Sequence, residues 1–248
     1  MLDLILLFKA NKYVLLGDLR KAFLMVRLKS LRDKNRFCFF LRVNNQIRCY
    51  RFNTIIFGFC SSPFILNYVI KHIAESFPPD SCTEMIRSNF FVDNLVKTSN
   101  DAEELTWLYN QCAERMDGAH FELRSYNTNN DHLKLLMQKD GRFITHGCDK
   151  DKVLGYSYSS ELDTMSLAPV KLSETADTKR NILSESAKIF DPLLMATPVI
   201  VKSKVLISKL WAKKKSEIHW DETVEEADQK QWSLISKDLS QLSEIEFP

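Results

Sequence analysis

The chain has 248 residues, of which 45% are hydrophobic and 27% are charged, and its net charge is +2. This composition is typical of a soluble globular protein with one large domain or two ordinary ones. The apolar opening MLDLILLF is far shorter than the roughly 20 residues that span a bilayer, so we expect no transmembrane or targeting segment there. The six cysteines never form a C-x-x-C pair, so we expect a reducing, intracellular compartment.

Charge is distributed unevenly along the chain. Residues 1–60 hold twelve Lys and Arg against three Asp, a balance of +9. Residues 216–248 hold nine acidic residues against two Lys, a balance of −7. The basic end favours an anionic partner such as nucleic acid, although an ordinary solvated surface explains the same pattern.

The first half of the chain predicts a strand, a basic hairpin and a helix. KYVLLGD, at residues 12–18, is a short apolar run that ends in Gly-Asp, as a buried strand does. Two strand-forming runs flank Asn44-Asn45, a good hairpin tip. Ser61, Ser62 and Pro63 then supply a cap and a first-turn proline for a helix that continues toward Pro78.

The following segments predict two strands, a helix and one more strand. The strands join at Asp93-Asn94, and the cap Ser99-Asn100-Asp101 opens an amphipathic helix that stops near Gly118. HFELRSY, at residues 120–126, reads as the last strand, and residues 127–130 read as a turn. Beyond residue 150 we expect one hairpin and then mainly helices, with a domain boundary near Leu172.

Without the basic hairpin, the element order is strand, helix, strand, strand, helix, strand. This is the split β-α-β unit of ferredoxin-like α+β folds. In that topology the first and third strands are adjacent and antiparallel at the centre of the sheet. Asp18 and Asp93, which are distant in sequence, are therefore predicted to be neighbours.

Two carboxylates at adjacent strand ends, near a basic surface, suit a hard divalent cation such as Mg²⁺. Two such ions about 3.5–4 Å apart can stabilise the attacking and leaving oxygens of a phosphoryl transfer. The alternative is that Asp93-Asn94 simply turns the chain, because Asp and Asn favour turns. The topology alone leaves both interpretations open.

Five segments resemble, in order and spacing, the palm motifs of reverse transcriptases, in particular those of BEL/Pao long-terminal-repeat retrotransposon polyproteins. They are GDLRKAF (17–23), YRFNTIIFGFCSSPFILN (50–67), FFVDNL (90–95), HFELRSYNTN (120–129) and VLGYSY (153–158). Downstream, TKRNILSESAKIFDPLLMATPVIVKSK (178–204) is similar to the segment that follows the polymerase in that family, sometimes catalogued as Pao retrotransposon peptidase. No D-[ST]-G triplet of an aspartic protease is present.

The resemblance implies a role for each matching residue. Asp18 and Asp93 would hold catalytic Mg²⁺, or Mn²⁺, with Asn94 beside them. Phe23, Phe57, Gly58 and Arg124 would contact the incoming dNTP, with Phe23 excluding a ribose 2′-hydroxyl. The primer or template would be contacted by Ser61, Ser62, Pro63, Leu154 and Gly155. Residue-level alternatives are a core phenylalanine for Phe23, a turn before a helix for Phe57-Gly58, a helix cap for Ser61 to Pro63, and an aromatic-packing hairpin for Leu154-Gly155.

The same resemblance sets the expected organisation and function. Residues 1–172 would be a reverse transcriptase palm with truncated fingers and a primer-grip-like hairpin, and residues 173–248 a helical thumb or connection region. The reaction would be nucleotidyl transfer of dNTPs to a primer 3′-hydroxyl on an RNA or DNA template, away from membranes. We expect the protein in the cytoplasm or within virus-like particles, with RNase H and integrase regions beyond Pro248.

Three departures from the family pattern bear on activity. The tip has Asn94 where a second aspartate is usual, most of the fingers is absent, and FDPLL at 190–194 ends in leucine where the family tends to have glycine. Two further hypotheses therefore stand beside an active polymerase. One is a catalytically degenerate or domesticated palm that binds nucleic acid, and the other is a ferredoxin-like RNA-binding module.

Overall fold

The computed structural model describes residues 2–34, 38–143, 151–212 and 219–247. Apart from the first two residues, the chain divides into a first unit, Asp3–Thr145, and a second unit, His146–Pro248. The boundary expected near Leu172 falls inside the second unit, because the strands between residues 151 and 167 group with the C-terminal helices. Among the described residues, no helix has the length and apolar character needed to cross a membrane.

The first unit is a mixed α+β structure. Its helices and strands are, in chain order, α1 (Leu2–Phe8), β1 (Tyr13–Leu19), α2 (Ala22–Met25), α3 (Leu31–Lys34), β2 (Cys38–Val43), β3 (Gln46–Arg51), α4 (Ser62–Glu75), α5 (Ser81–Ser88), β4 (Phe90–Phe91), β5 (Asn94–Ser99), α6 (Ala102–Gly118), β6 (Leu123–Asn127) and α7 (Asp131–Lys139).

A four-stranded antiparallel sheet with the order β4-β5-β1-β6 forms the centre of this unit. The first and third strands of the predicted unit, β1 and β5, are adjacent and antiparallel, which confirms that part of the prediction. Their register runs from Tyr13 opposite Ser99 to Asp18 opposite Asn94. The carboxyl end of β1 therefore lies at the β4–β5 tip.

One face of the sheet is buried under helices. Leu15 and Leu19 on β1 join a single hydrophobic cluster with the apolar sides of the helices. The members from α4, α5 and α6 are Leu66, Ile70, Ala74, Cys82, Met85, Ile86, Leu105, Leu108, Tyr109, Cys112 and Met116, and α2 and α7 add Ala22, Phe23, Leu133 and Met137. Burial of this apolar area is the main force that holds the sheet and helices together.

The opposite face of β1 carries Leu16 and Asp18, because successive side chains alternate across a strand. At the start of this face, the Thr98 hydroxyl donates a hydrogen bond of 3.1 Å to the Leu7 carbonyl, so α1 lies against that end. Toward the other end, Asp18 keeps about a third of its side chain exposed, at 35%. The sheet therefore has a covered end and an accessible end on the same face.

Five of the seven described helices of the first unit, α1, α2, α3, α5 and α7, were not predicted, and α5 and α7 have side-chain caps. Helix α5 begins after Asp80, whose side chain accepts a hydrogen bond of 2.8 Å from the Thr83 backbone N–H. Asp80 also pairs with Arg115 of α6, which donates to both of its carboxylate oxygens. Helix α7 begins after Asn130, which caps Leu133 at 2.9 Å. Both helices start at an ordinary Asx cap.

The basic hairpin is confirmed. Strands β2 and β3 pair antiparallel and turn at Asn44-Asn45, whose φ angles of 49° and 62° are those of a type I′ turn. All described residues of the two strands are exposed except Val43, which is half-buried. The hairpin therefore carries almost no buried side chains of its own.

The second unit combines a three-stranded antiparallel sheet with helices. Its elements are β7 (Asp151–Val153), β8 (Tyr156–Ser159), β9 (Thr164–Leu167), α8 (Lys179–Ser186), α9 (Thr197–Ala212), α10 (Glu226–Ser240) and a 3₁₀ helix (Gln241–Glu244). The helices predicted for the C-terminal part are confirmed. The chain end returns to the sheet, since Met165 and Phe247 exchange two backbone hydrogen bonds of 2.8 Å.

Asp191, in the FDPLL segment, connects the sheet of this unit to α9. Its carboxylate accepts hydrogen bonds from the Tyr156 hydroxyl at 3.1 Å and from the backbone N–H groups of Met195 and Ala196. Leu194 has a φ of 60°, the left-handed conformation that favours glycine. A glycine at this place, as the resembling family tends to have, would adopt the same backbone without strain.

We predict that Gly155→Ala destabilises the second unit by about 2–4 kcal/mol. Gly155 has a φ of 98°, and an added Cβ would lie 2.3 Å from a ring carbon of Phe190, so both the backbone and the packing oppose a side chain. Urea unfolding followed by circular dichroism measures the change. Gly118→Ala is the matched control, because a Cβ at the end of α6 meets no atom within 4 Å. Equal stability of the two variants would contradict this account of Gly155.

Candidate functional site

The structure brings Asp18, Asp93 and Asn94 together at the accessible end of β1. Asp18 and Asn94 are register partners on β1 and β5, and the Leu19 backbone N–H donates to the Asp93 carbonyl at 2.9 Å. The Asn94 side-chain amide donates to an Asp93 carboxylate oxygen at 3.1 Å. Asp18 and Asp93 were predicted as neighbours from topology, and the pairing of β1 with β5 is what brings them together.

The sequence predicted Asp93-Asn94 as the tip of the β4–β5 hairpin, and this prediction was wrong by one residue. The tip is Val92-Asp93. Phe91 pairs with Asn94, so Asn94 is the first residue of β5 and only two residues remain for the turn. Val92 has a φ of 59°, whereas Asp93 does not have a positive φ. This is the pattern of a type II′ turn, whose first central position is normally glycine.

Val92 therefore holds a strained conformation, because a β-branched residue rarely adopts a positive φ. Its half-buried side chain packs against the hydrophobic cluster of the first unit, and this packing opposes relaxation of the turn. Strain of this kind is often concentrated at functional sites. The sequence carried no signal for it, since valine reads as an ordinary strand residue there.

Electrostatics at the site disfavours two ionised carboxylates. Partial burial and then the neighbouring Asp93 raise the pKa of Asp18 to about 6, while Arg124 acts in the opposite direction. Burial also raises the pKa of Asp93. A bound cation would relieve both effects, because it favours the ionised form of each group.

Arg124 lies on the other side of Asp18, as its register partner on β6. Its Nε is 3.9 Å from a carboxylate oxygen of Asp18 and has no hydrogen-bond partner among the described residues. The register between β1 and β6 shifts next to this pair, and Ser125 has a φ of 52°. The irregularity places Arg124 directly opposite Asp18. Its contact with a triphosphate stays a prediction.

Gly17 is a site residue whose structural role the sequence did not reveal. It lies directly before Asp18 on the helix-covered face, where an added Cβ would be 3.1 Å from a ring carbon of Tyr126. The Tyr126 ring is fully buried and makes an edge contact with Tyr109, at 4.8 Å between centroids. The absence of a side chain at Gly17 thus lets β1 and β6 keep the pairing that aligns Asp18 with Arg124.

Phe23 is a core residue in this structure. Only 3% of it is exposed, and its ring makes an edge contact with Phe57, at 4.4 Å between centroids. Phe57 itself is 67% exposed, and Gly58 follows it with a φ of 89° in open space. Phe57-Gly58 therefore forms an exposed turn over Phe23, and contacts of these residues with a nucleotide stay predictions.

The residues predicted to contact primer or template have structural roles of their own. Ser61 occupies the N-cap position of α4 without a side-chain capping hydrogen bond, and Pro63 lies in the first turn. The Ser62 hydroxyl donates to the Ile56 carbonyl at 2.7 Å. Leu154 and Gly155 form the two-residue turn between β7 and β8 in the second unit, where Tyr156 and Tyr158 are fully buried.

The donor set at the carboxylate site fits Mg²⁺. Asp18 and Asp93 offer hard oxygen ligands, and Mg²⁺ needs only one or two protein carboxylates, since water and phosphate oxygens complete its shell. Within the described ranges, there is no group of three or more His, Cys, Asp or Glu side chains that could hold a metal ion by themselves. A cation here would therefore depend on its bound substrate for further ligands.

Comparison with known proteins finds a family match in the C-terminal part of the chain. Residues 178–248 match the family described as the Pao retrotransposon-like RNaseH-like domain. The match supports a Pao/BEL retrotransposon polyprotein. It confirms the resemblance of this segment to Pao elements and supports a role in nucleic-acid processing. Among curated proteins, none matches the chain.

The description of the matched family bears on two expectations. RNase H was expected beyond Pro248, whereas the RNaseH-like match lies within residues 178–248. Residues 173–248 were expected to form a helical thumb or connection region, and the described part of the matched segment consists of α8, α9, α10, the 3₁₀ helix and the segments between them. The match to Pao elements covers residues 178–248, whereas the segments that resemble reverse transcriptase motifs lie within residues 17–158, and all but VLGYSY are in the first unit.

We predict that Asp18→Asn raises the free energy of unfolding of the first unit by about 1–2 kcal/mol at pH 7 without divalent cations. This value includes a reduction for solvent screening, because the Asp18 side chain is about one-third exposed. The folded-state pKa of Asp18, about 6, exceeds its ordinary value of 3.8. The contribution of Asp18 to the free energy of unfolding of the wild type is therefore largest below about pH 4, and it is lost as the pH rises through 6. Asparagine resembles the protonated form and does not titrate.

Urea unfolding of both proteins between pH 4 and pH 7.5 measures this difference. The advantage of Asp18→Asn should shrink toward pH 4. Glu114→Gln, which changes an exposed carboxylate on α6, is the control and should leave stability nearly unchanged at every pH. A constant difference across the pH range would show that the substitution acts through packing and not through charge.

Proposed function

We propose that the first unit is the palm of a reverse transcriptase within a Pao/BEL retrotransposon polyprotein. It would catalyse the transfer of deoxynucleotides to a primer 3′-hydroxyl on an RNA or DNA template. The observation that carries the proposal is the meeting of Asp18 and Asp93, from separate parts of the chain, at one accessible strand end. The strand order β4-β5-β1-β6 and the order of the resembling motifs support the same interpretation.

In this proposal Asp18 and Asp93 would hold Mg²⁺ or Mn²⁺, with the Asn94 amide beside them. The bound ions would supply electrostatic stabilisation of the attacking and leaving oxygens. Arg124 would compensate the negative charge of Asp18 and of an anionic substrate at the same end of the sheet. The strained turn at Val92 would keep Asp93 next to β1, which lowers the cost of reorganisation on substrate binding.

The surrounding charge supports a nucleic-acid substrate. Arg42, Arg48 and Arg51 all lie on the exposed strands of the basic hairpin, among exposed aromatic residues such as Phe40. Arginine and aromatic side chains together contact nucleic-acid backbones and bases. The RNaseH-like match in the C-terminal part is consistent with such a substrate.

A second candidate function is a palm that binds nucleic acid without turnover. Asn94 favours it, because an amide replaces the carboxylate that the resembling family usually has at this place. The Asn94 amide nitrogen is directed at Asp93, so it satisfies that carboxylate by a hydrogen bond and adds no negative charge. Cation affinity should be lower with two carboxylates than with three.

Primer extension tests the proposal. The full chain, incubated with a labelled primer on an RNA or DNA template, dNTPs and Mg²⁺, should extend the primer, and Asp18→Ala or Asp93→Ala should reduce extension by a factor of at least about 100. Glu114→Ala is the matched control and should extend as the wild type does. Extension that survives in both aspartate variants would refute the assignment of the site. Template binding without extension in the wild type would favour the second candidate.

We predict that Asn94→Asp increases Mg²⁺ affinity by roughly tenfold, since a third carboxylate adds about 1.4 kcal/mol or more of favourable interaction. The shift of the thermal unfolding midpoint with Mg²⁺ concentration measures this affinity without reference to activity. If the wild type extends primers weakly, Asn94→Asp should extend them faster at low Mg²⁺. Unchanged Mg²⁺ dependence would place the ion away from Asn94.

A further inference from the structure

Two cysteine thiols lie side by side on the basic hairpin. Cys38 pairs with Arg51 and Cys49 pairs with Phe40, so the cysteines occupy diagonal positions on one face of the β2–β3 ladder. Both are exposed and both are present as thiols. Their side chains are in hydrogen-bonding contact, and local desolvation and then the Cys49 thiol raise the pKa of Cys38.

The other face of the hairpin keeps this arrangement in place. Phe39 stacks on Tyr50, with 5.8 Å between ring centroids, and lies 4.9 Å from Phe52. Because side chains alternate along a strand, these rings hold the register from the face opposite to Cys38 and Cys49. The thiols therefore meet on a hairpin whose pairing is stabilised independently of them.

We propose that Cys38 and Cys49 form a reversible dithiol–disulfide pair, a redox modification site on the basic hairpin. The oxidant would be a small disulfide of the glutathione type. The thiolate of one cysteine attacks a sulfur of the oxidant and releases one glutathione thiolate. The second cysteine then attacks the mixed disulfide, forms the protein disulfide and releases the second glutathione. The two protein protons pass to the two released thiolates, so two thiols are oxidised and one disulfide is reduced.

The diagonal placement explains why the bond would be reversible. Diagonal neighbours in an antiparallel pair are typically about 7–8 Å apart at Cα, whereas disulfides usually join Cα atoms 4.4–6.8 Å apart. Closing the bond would therefore strain the hairpin, and strained disulfides are more readily reduced. The pair is suited to switching with the redox poise and not to permanent cross-linking.

Other cysteines of the chain provide internal controls. Cys60 is exposed but lies outside the hairpin, in the segment before α4. Cys82 and Cys112, on α5 and α6, are also in hydrogen-bonding contact, but both are buried in the hydrophobic cluster. Access to an oxidant distinguishes the hairpin pair from this second pair, because disulfide exchange requires an accessible thiol.

The test is thiol mapping of the native full chain in glutathione buffers of graded redox poise. Samples are alkylated without unfolding, digested, and examined by mass spectrometry for linked and alkylated peptides. In oxidising buffer the wild type and Cys60→Ser should show a Cys38–Cys49 link that dithiothreitol removes. Cys38→Ser and Cys49→Ser should instead carry one glutathione on the remaining hairpin cysteine.

Two outcomes would overturn the proposal. One is glutathione on both Cys38 and Cys49 of the wild type with no link between them, and the other is a link that forms only between chains and increases with protein concentration. Phenylarsine oxide provides a second measurement, since it binds two neighbouring thiols with loss of water. The reduced wild type and Cys60→Ser should bind one arsenical at the hairpin, and each of the two hairpin serine variants should lose it. Equal binding in all four proteins would also refute the pair.

Discussion

The antiparallel pairing of β1 with β5 is the interaction on which the candidate site depends. Its register sets Asp18 opposite Asn94 and brings the β4–β5 tip against the end of β1. On the neighbouring edge, the irregular pairing with β6 sets Arg124 opposite Asp18. If β1 were shifted by one residue against both of its neighbours, Asp18 would turn toward the helix-covered face, where a carboxylate could be neither hydrated nor bound to a cation.

The residues of the candidate site are in energetically unfavourable states, and the rest of the first unit holds them there. Two carboxylates with raised pKa values stand close together, and Val92 holds a backbone conformation that valine disfavours. The surrounding core compensates, because Val92 packs on the cluster built from β1 and the helices, and Gly17 leaves room beside β1 for the buried ring of Tyr126. A stable core combined with a destabilised site is common in proteins, because function often requires a strained site.

Strand order and the meeting of Asp18 with Asp93 could be predicted because hydrophobic periodicity and helix caps are local signals that constrain the topology strongly. The tip position could not, since the strained turn at Val92 is imposed by packing from residues distant in sequence. Helix α5 did have a local signal, the cap at Asp80 followed by Thr83. This signal is weaker than those of the neighbouring helix α4 and the β4–β5 hairpin, and it was therefore missed. The division near residue 145 depends on long-range contacts such as Met165 with Phe247, which no local pattern contains.

The β2–β3 hairpin is a two-stranded sheet with almost no buried side chains, whereas the central sheet is anchored in the core. Isolated two-stranded sheets are only marginally stable in water. The hairpin should therefore open and close locally while the rest of the first unit remains folded, and its backbone amides should exchange hydrogen with solvent far sooner than those of β1. Contact with another molecule would slow that exchange, which makes the hairpin a sensitive reporter of binding.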